Sequence, residues 1–161
     1  MPLIAPHGRP AVIRTFGNPL EYVQNKEAWE ELILEQYGLR YPLPYAYGSV
    51  TIRAVRAHKL VIGLMTEALT KCHEAGVPDD RLPYGGIYCW RAVRGQAVLS
   101  MHTWAIAVDL APATNPLGAV WRDDGVMMPP KVIEVFEGLG FTWGGRWDRP
   151  DPQHFQFCSG C

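Results

Sequence analysis

The chain has 161 residues, of which 48% are hydrophobic and 19% charged; that balance fits one compact core and excludes wholesale disorder. With 15 Lys and Arg against 16 Asp and Glu the net charge is −1, so no basic face is on offer to a nucleic-acid backbone or an anionic membrane. No apolar run approaches the roughly 18 residues of a membrane span, and Met1 to Phe16, broken by Pro2, Pro6 and Pro10, lacks the apolar stretch of an export signal. Synthesis and retention in the cytoplasm are therefore expected.

Residues 1–50 are rich in Pro, Gly and aromatic side chains, and one helix is predicted around Lys26 to Gln36, where Trp29, Leu32 and Ile33 fall at helical spacing and Gly38 is the stop. The segment Tyr41-Pro42-Leu43-Pro44-Tyr45 reads as an extended arm wrapping the core, since each proline removes a donor and restricts the residue before it. From Ile52 to Ala75 the pattern predicts a long helix: Val61, Leu64, Met65, Ala68, Leu69 and Cys72 recur at three- and four-residue intervals, ended by Gly76 and Pro78. His58 falls on this helix and is read as a structural hydrogen-bonding group.

Ile87 to Trp90 and Trp104 to Leu110 are predicted strands. In the second, Trp104, Ile106, Val108 and Leu110 share one face, and Asp109 points the other way. His102 must then lie in the turn before the strand, because an odd offset would otherwise put it opposite Asp109. Pro129-Pro130 opens a further helix with Val132, Phe136 and Leu139 as its apolar stripe and Gly140 at its end. In His154-Phe155-Gln156-Phe157 the phenylalanines are expected to enter the core while His154 and Gln156 face a site, with Asp151-Pro152 as an extended lead-in. The order of elements predicts an α+β fold, a small antiparallel sheet flanked by helices.

Two distant stretches hold ligand-type residues: Ser100-Met101-His102 with Asp109 following, and Asp151-Pro152-Gln153-His154. A catalytic zinc takes three protein ligands from His and carboxylate and keeps a fourth position for water, whose pKa falls to roughly 7. His102, Asp109 and His154 would fill the three places, leaving Asp151 unbound and near enough to take a proton. The four cysteines, Cys72, Cys89, Cys158 and Cys161, include the close pair Cys158-Ser159-Gly160-Cys161. They are read as reduced or incidental thiols, with a disulfide or a second metal site as the alternatives, since cytoplasmic chains seldom keep disulfides.

Taken together, Arg91 after Tyr88-Cys89-Trp90, the run from Ser100 to Asp109, Gly140-Phe141-Thr142-Trp143-Gly144-Gly145-Arg146-Trp147, and Asp151 through Phe155 form an ordered pattern. It resembles the zinc peptidases of the D-alanyl-D-alanine carboxypeptidase and L-alanyl-D-glutamate endolysin family, over about Ile52 to Gln156. Asn115-Pro116 fits as well. The resemblance implies a hedgehog/DD-peptidase-like fold. It implies one catalytic domain over residues 1–161, in which 1–50 form an arm and helix wrapping a metallopeptidase core of 51–157.

Carried over residue by residue, the resemblance makes His102, Asp109 and His154 the zinc ligands and Asp151 the general base, with Asp148 as its competitor. Arg91, with Arg94 as the alternative, would stabilise the oxyanion. Ser100 would support the ligand loop, touch substrate or merely cap a turn. Gln156 would anchor a ligand imidazole through its second nitrogen, and Trp143 and Trp147 would wall a groove or pack the core. The family has glycine where this chain has Ala105, and a strand conformation there would accommodate the Cβ.

The expected activity is hydrolysis of an amide bond in the peptide stems of peptidoglycan by a monomer. The lack of an export signal favours a phage-type lysis enzyme acting on the wall after release. The alternatives are a carboxypeptidase that trims terminal D-alanine and a binding module with a structural zinc.

Overall fold

The computed structural model describes residues 2–161. Among the described residues, four α-helices and six strands make an α+β fold: α1 Arg9–Phe16, α2 Lys26–Ile33, β1 Leu34–Pro44, β2 Thr51–His58, α3 Ile62–Glu74, β3 Tyr84–Gly86, β4 Ala107–Leu110, α4 Pro130–Gly138, β5 Thr142–Trp143 and β6 His154–Gln156. β1 and β2 form an antiparallel hairpin; the other four strands form an antiparallel sheet in the order β3-β4-β6-β5. No helix among the described residues is long and apolar enough to cross a membrane.

The helix predicted over Ile52 to Ala75 is in fact two elements. Ile52 to His58 belongs to β2, held by β1 in a register that pairs Leu34 with His58 and Tyr37 with Val55. Val55 and Ala57 are buried and Ala54 and Arg56 exposed, a period of two that the later helical stripe masks in the sequence. Only Ile62–Glu74 is helical, and His58 sits at a strand end. The helix predicted around Lys26 to Gln36 ends at Ile33, and Gly38 lies inside β1. Helix α1 was not expected: Pro10 stands in its first turn, the one place where a proline costs no helical hydrogen bond.

Three further expectations change. Ile87 to Trp90 is not a strand; the strand is Tyr84–Gly86, and the chain after it hydrogen-bonds to an irregular turn, with Cys89 N–H donating to the His102 carbonyl at 3.2 Å. The strand expected from Trp104 begins only at Ala107, because Met101–Trp104 is a 3-10 turn and Ala105 follows it with φ 54 and ψ 33. Ala105 is thus left-handed rather than extended, the conformation that favours the family's glycine. Asp151-Pro152 is a tight turn, closed by His154 N–H on the Asp151 carbonyl at 3.0 Å, with proline where its fixed φ suits.

Three expectations match. α4 runs Pro130–Gly138 and buries Val132, Ile133 and Phe136. Phe155 and Phe157 enter the core, and His102 lies in the turn before β4.

One buried cluster runs from Val12 and Phe16 through Met65 and Leu69 to Phe155 and Phe157, and the N-terminal elements use it to hold the His102 turn. Trp29 Nε1 donates to the Thr103 carbonyl and Trp104 Nε1 to the Gly17 carbonyl, each at 2.8 Å. His58 N–H donates to the Ala105 carbonyl at 3.0 Å.

Candidate metal site and groove

β4 and β6 are neighbours, and their register sets Asp109 directly opposite His154. The Met101–Trp104 turn brings His102 over the same point, with Ser100 Oγ accepting from His102 N–H at 3.4 Å as its cap. Asp109 Oδ1 lies 3.2 Å from His102 Nε2 and 3.0 Å from His154 Nδ1, and the two nitrogens are 3.2 Å apart. The histidines are 3% and 6% exposed, so water does little to separate the three groups.

Each imidazole is tied from behind. His102 Nδ1 donates to the Ile87 carbonyl at 2.7 Å. His154 Nε2 donates to Gln156 Oε1 at 3.0 Å, and the Gln156 amide donates to the Cys158 carbonyl at 3.5 Å and Sγ at 3.3 Å. With those protons placed, the neutral rings turn lone pairs toward a carboxylate oxygen. Three electron-rich atoms meet with no proton between them, an arrangement that needs a cation. A tetrahedral zinc with ligands at about 2.0–2.1 Å separates its donor atoms by about 3.3 Å, close to the spacings here. These three residues could hold one metal ion.

The electrostatics agree. Burial alone would push the Asp109 carboxyl up, yet the two imidazoles hold it well below the usual carboxylate range. Burial alone would lower His154, but the Asp109 carboxylate outweighs it and raises the ring. In the absence of a metal, a proton is the cation this cluster attracts.

Asp151 stands beside the triad with its buried Oδ1 lacking any hydrogen-bond partner. Burial pushes its carboxyl up, with the Asp109 charge helping and His154 opposing. Asp148 is exposed. Both line a groove of about 1100 Å³ that also exposes His102, Asp109 and His154, together with Arg91, Arg94 and Trp147.

Arg91 is exposed and its backbone is clamped: its carbonyl accepts from Ser100 N–H at 2.9 Å and from Thr103 Oγ1 at 3.2 Å. The buried Thr103 thereby joins the irregular segment at Arg91 to the His102 turn. The two tryptophans part company. Trp147 leans on the His154 ring at 5.4 Å and lines the groove, whereas Trp143 is buried and donates to the Pro152 carbonyl at 2.9 Å, bracing the Asp151 turn. Asn115 is buried and structural, bridging Ala111 and Met128. All four cysteines are free thiols.

Tyr47 also lines this groove, and nothing in the sequence reading singled it out. Its signal was the Gly48-Ser49 pair, which marks a hairpin tip only once β2 is recognised as a strand.

Residues 94–157 match the model of the D-alanyl-D-alanine carboxypeptidase family. The family resemblance is thereby shown over the stretch that contains His102, Asp109, Asp151 and His154; Arg91 and Tyr47 lie before it. No curated protein and no solved structure matches the chain.

Proposed function

We propose that this chain, which carries the peptidase segment of the D-alanyl-D-alanine carboxypeptidase family, is a zinc peptidase that hydrolyses an amide bond in peptidoglycan stem peptides. The observation that carries the reading is the meeting of His102 Nε2, His154 Nδ1 and Asp109 Oδ1 within hydrogen-bond distance, each lone pair facing the others, beside a buried carboxylate with a free oxygen.

When bound, zinc acidifies a water and polarises a carbonyl. The chain's own residues supply the rest. Gln156 and the Ile87 carbonyl fix which nitrogen each imidazole presents. Asp151 takes a proton at its carboxylate and returns it to the leaving amine, with its buried Oδ1 free of any other hydrogen-bond partner. Arg91 donates to the oxygen that gains negative charge as the scissile carbonyl becomes tetrahedral, a contribution of about 3 kcal/mol for one such donor. Trp147 covers the His154 side of the groove and limits water there.

The groove volume of about 1100 Å³ exceeds the roughly 300–1000 Å³ of small-molecule pockets. A groove of that size takes a peptide segment, and the activity proposed is that of an L-alanyl-D-glutamate lysis enzyme of phage type that reaches the wall after release from the cytoplasm. The family description itself favours a second reading, trimming of terminal D-alanine. Purified muropeptides digested by the protein and weighed by mass spectrometry separate the two, because only trimming releases free D-alanine. Chelation should abolish either activity and zinc restore it. Asp151→Asn should keep zinc and lose hydrolysis; unchanged hydrolysis would remove Asp151 from the chemistry, and a wild-type protein that binds zinc but cleaves nothing would leave a structural metal module.

A further inference from the structure

We propose that Tyr47, at the tip of the β1–β2 hairpin, contacts the substrate peptide and, with Arg91, sets how tightly it is held; this rests on the groove being a peptide-hydrolysing site.

The hairpin ladder ends with Leu43 opposite Ile52 and Pro44 opposite Thr51. Beyond it the chain turns back, closed by Tyr45 N–H on the Val50 carbonyl at 3.0 Å. This tip is docked rather than loose. Tyr45 bridges to Tyr84, and Ala46 N–H donates to the Tyr84 carbonyl at 3.0 Å. Tyr84 begins β3, whose Gly86 pairs with the metal-site residue Asp109. Position 85 must be glycine for β3 to come so close, since a Cβ there would lie 2.9 Å from the Asp109 carbonyl oxygen. One strand therefore separates the hairpin tip from Asp109, and Tyr47 reaches over that strand into the groove.

Tyr47 has no structural task that explains it. It is 64% exposed, and its ring meets Tyr45 edge-on at 5.6 Å and 79°. Its hydroxyl makes no hydrogen bond to any described residue. The phenol is held up, first by partial burial and then by the Asp109 charge, while Arg91 pulls it down. Tyr47, Arg91 and Asp109 line the same groove, and at neutral pH the raised phenol remains a donor. A neutral O–H donor and a guanidinium on one wall complement the carbonyl or carboxylate oxygens of a peptide, and the ring offers an apolar face for the short side chains of such a stem.

The test uses full-length protein and a defined stem peptide. KM and kcat are measured for the wild type, Tyr47→Phe and Tyr47→Ala, and binding of the peptide to metal-free protein is followed by Trp fluorescence. Thermal melts check that each variant folds. Tyr47→Ala should raise KM about tenfold and weaken metal-free binding equally, with kcat within about twofold; Tyr47→Phe, which keeps the ring and loses the donor, should fall between. KM and metal-free affinity unchanged in both variants would overturn the assignment. So would a fall in kcat alone. A wild-type protein that cleaves no stem peptide would sink the preceding reading, whereas cleavage indifferent to Tyr47 would sink only this one.

Discussion

Gly144 lies against Asp151 with no room for a side chain between them: a Cβ at position 144 would sit 2.7 Å from the Asp151 carbonyl oxygen and 3.2 Å from its Cβ. The Gly144 carbonyl in turn accepts the Asp151 N–H at 2.9 Å. Two neighbouring segments of backbone are thus pressed together to aim one carboxylate. Because the obstructing atom is backbone, it cannot swing aside.

Gly144→Ala should therefore push the Asp151 turn outward. The expected cost is about 2 kcal/mol of stability from overpacking and on the order of a hundredfold in hydrolysis from a displaced base, with zinc retained. Melting curves, zinc content and muropeptide turnover measured together check it. A variant with full activity would mean that Asp151 does not need this placement.

Gln156 should govern metal affinity without touching the metal. Its Oε1 is the acceptor for His154 Nε2, so Gln156→Leu leaves that proton unpartnered and frees the ring to turn or change tautomer. Zinc affinity, read by competition with a chromophoric chelator, should fall about 10- to 100-fold. An unchanged affinity would show that packing alone orients the ring.

Ala105 is left-handed and fully buried. Replacing it with glycine relieves roughly 1–2 kcal/mol of backbone strain but removes a buried methyl worth about 0.8 kcal/mol and adds freedom to the unfolded chain. Ala105→Gly should accordingly leave stability within about 1 kcal/mol of wild type. Ala105→Val, β-branched in the same conformation, should lose more than about 2 kcal/mol. Denaturant melts decide, and a well-tolerated valine would contradict the assigned φ.

His58 should make the protein acid-sensitive. It is 2% exposed, and its Nδ1 accepts from Leu60 N–H at 3.1 Å, which requires the neutral ring. Burial, assisted by Lys59 and opposed by the Phe16 carbonyl, lowers its pKa from 6.5 to about 4. Between those values the unfolded chain binds the extra proton, so stability is full above pH 6.5, declines as pH falls toward 4, and then levels. The loss amounts to about 3 kcal/mol at most. Denaturation of metal-free protein across this range should show a steeper decline for wild type than for His58→Gln; equal slopes would clear His58 of the effect.

The local signals in the sequence were those whose partners lie nearby in the chain. The alternation of His154 to Phe157 was readable because Phe155 and Phe157 join the core cluster while His154 and Gln156 line the groove, although all four are buried, and the stripe of α4 because its burial follows the helical period. The ordered ligand pattern likewise pointed to His102, Asp109 and His154 as one group. What failed were places where a distant partner overrides local preference. β2 looked helical because its stripe ran on into α3, and only pairing with β1 makes it a strand. Ala105 looked extended because its neighbours alternate, yet the His102 turn forces its φ.

The sequence by itself determined the chemistry available to this protein, which donor atoms it owns and in what order, since those are properties of residue types. Tertiary structure alone decided which of them meet. The β4–β6 register faces Asp109 with His154, the close backbone approach at Gly144 aims Asp151, and the docked hairpin brings Tyr47 into the groove. Such juxtapositions depend on contacts between segments far apart in the chain, where packing rather than local periodicity sets the geometry.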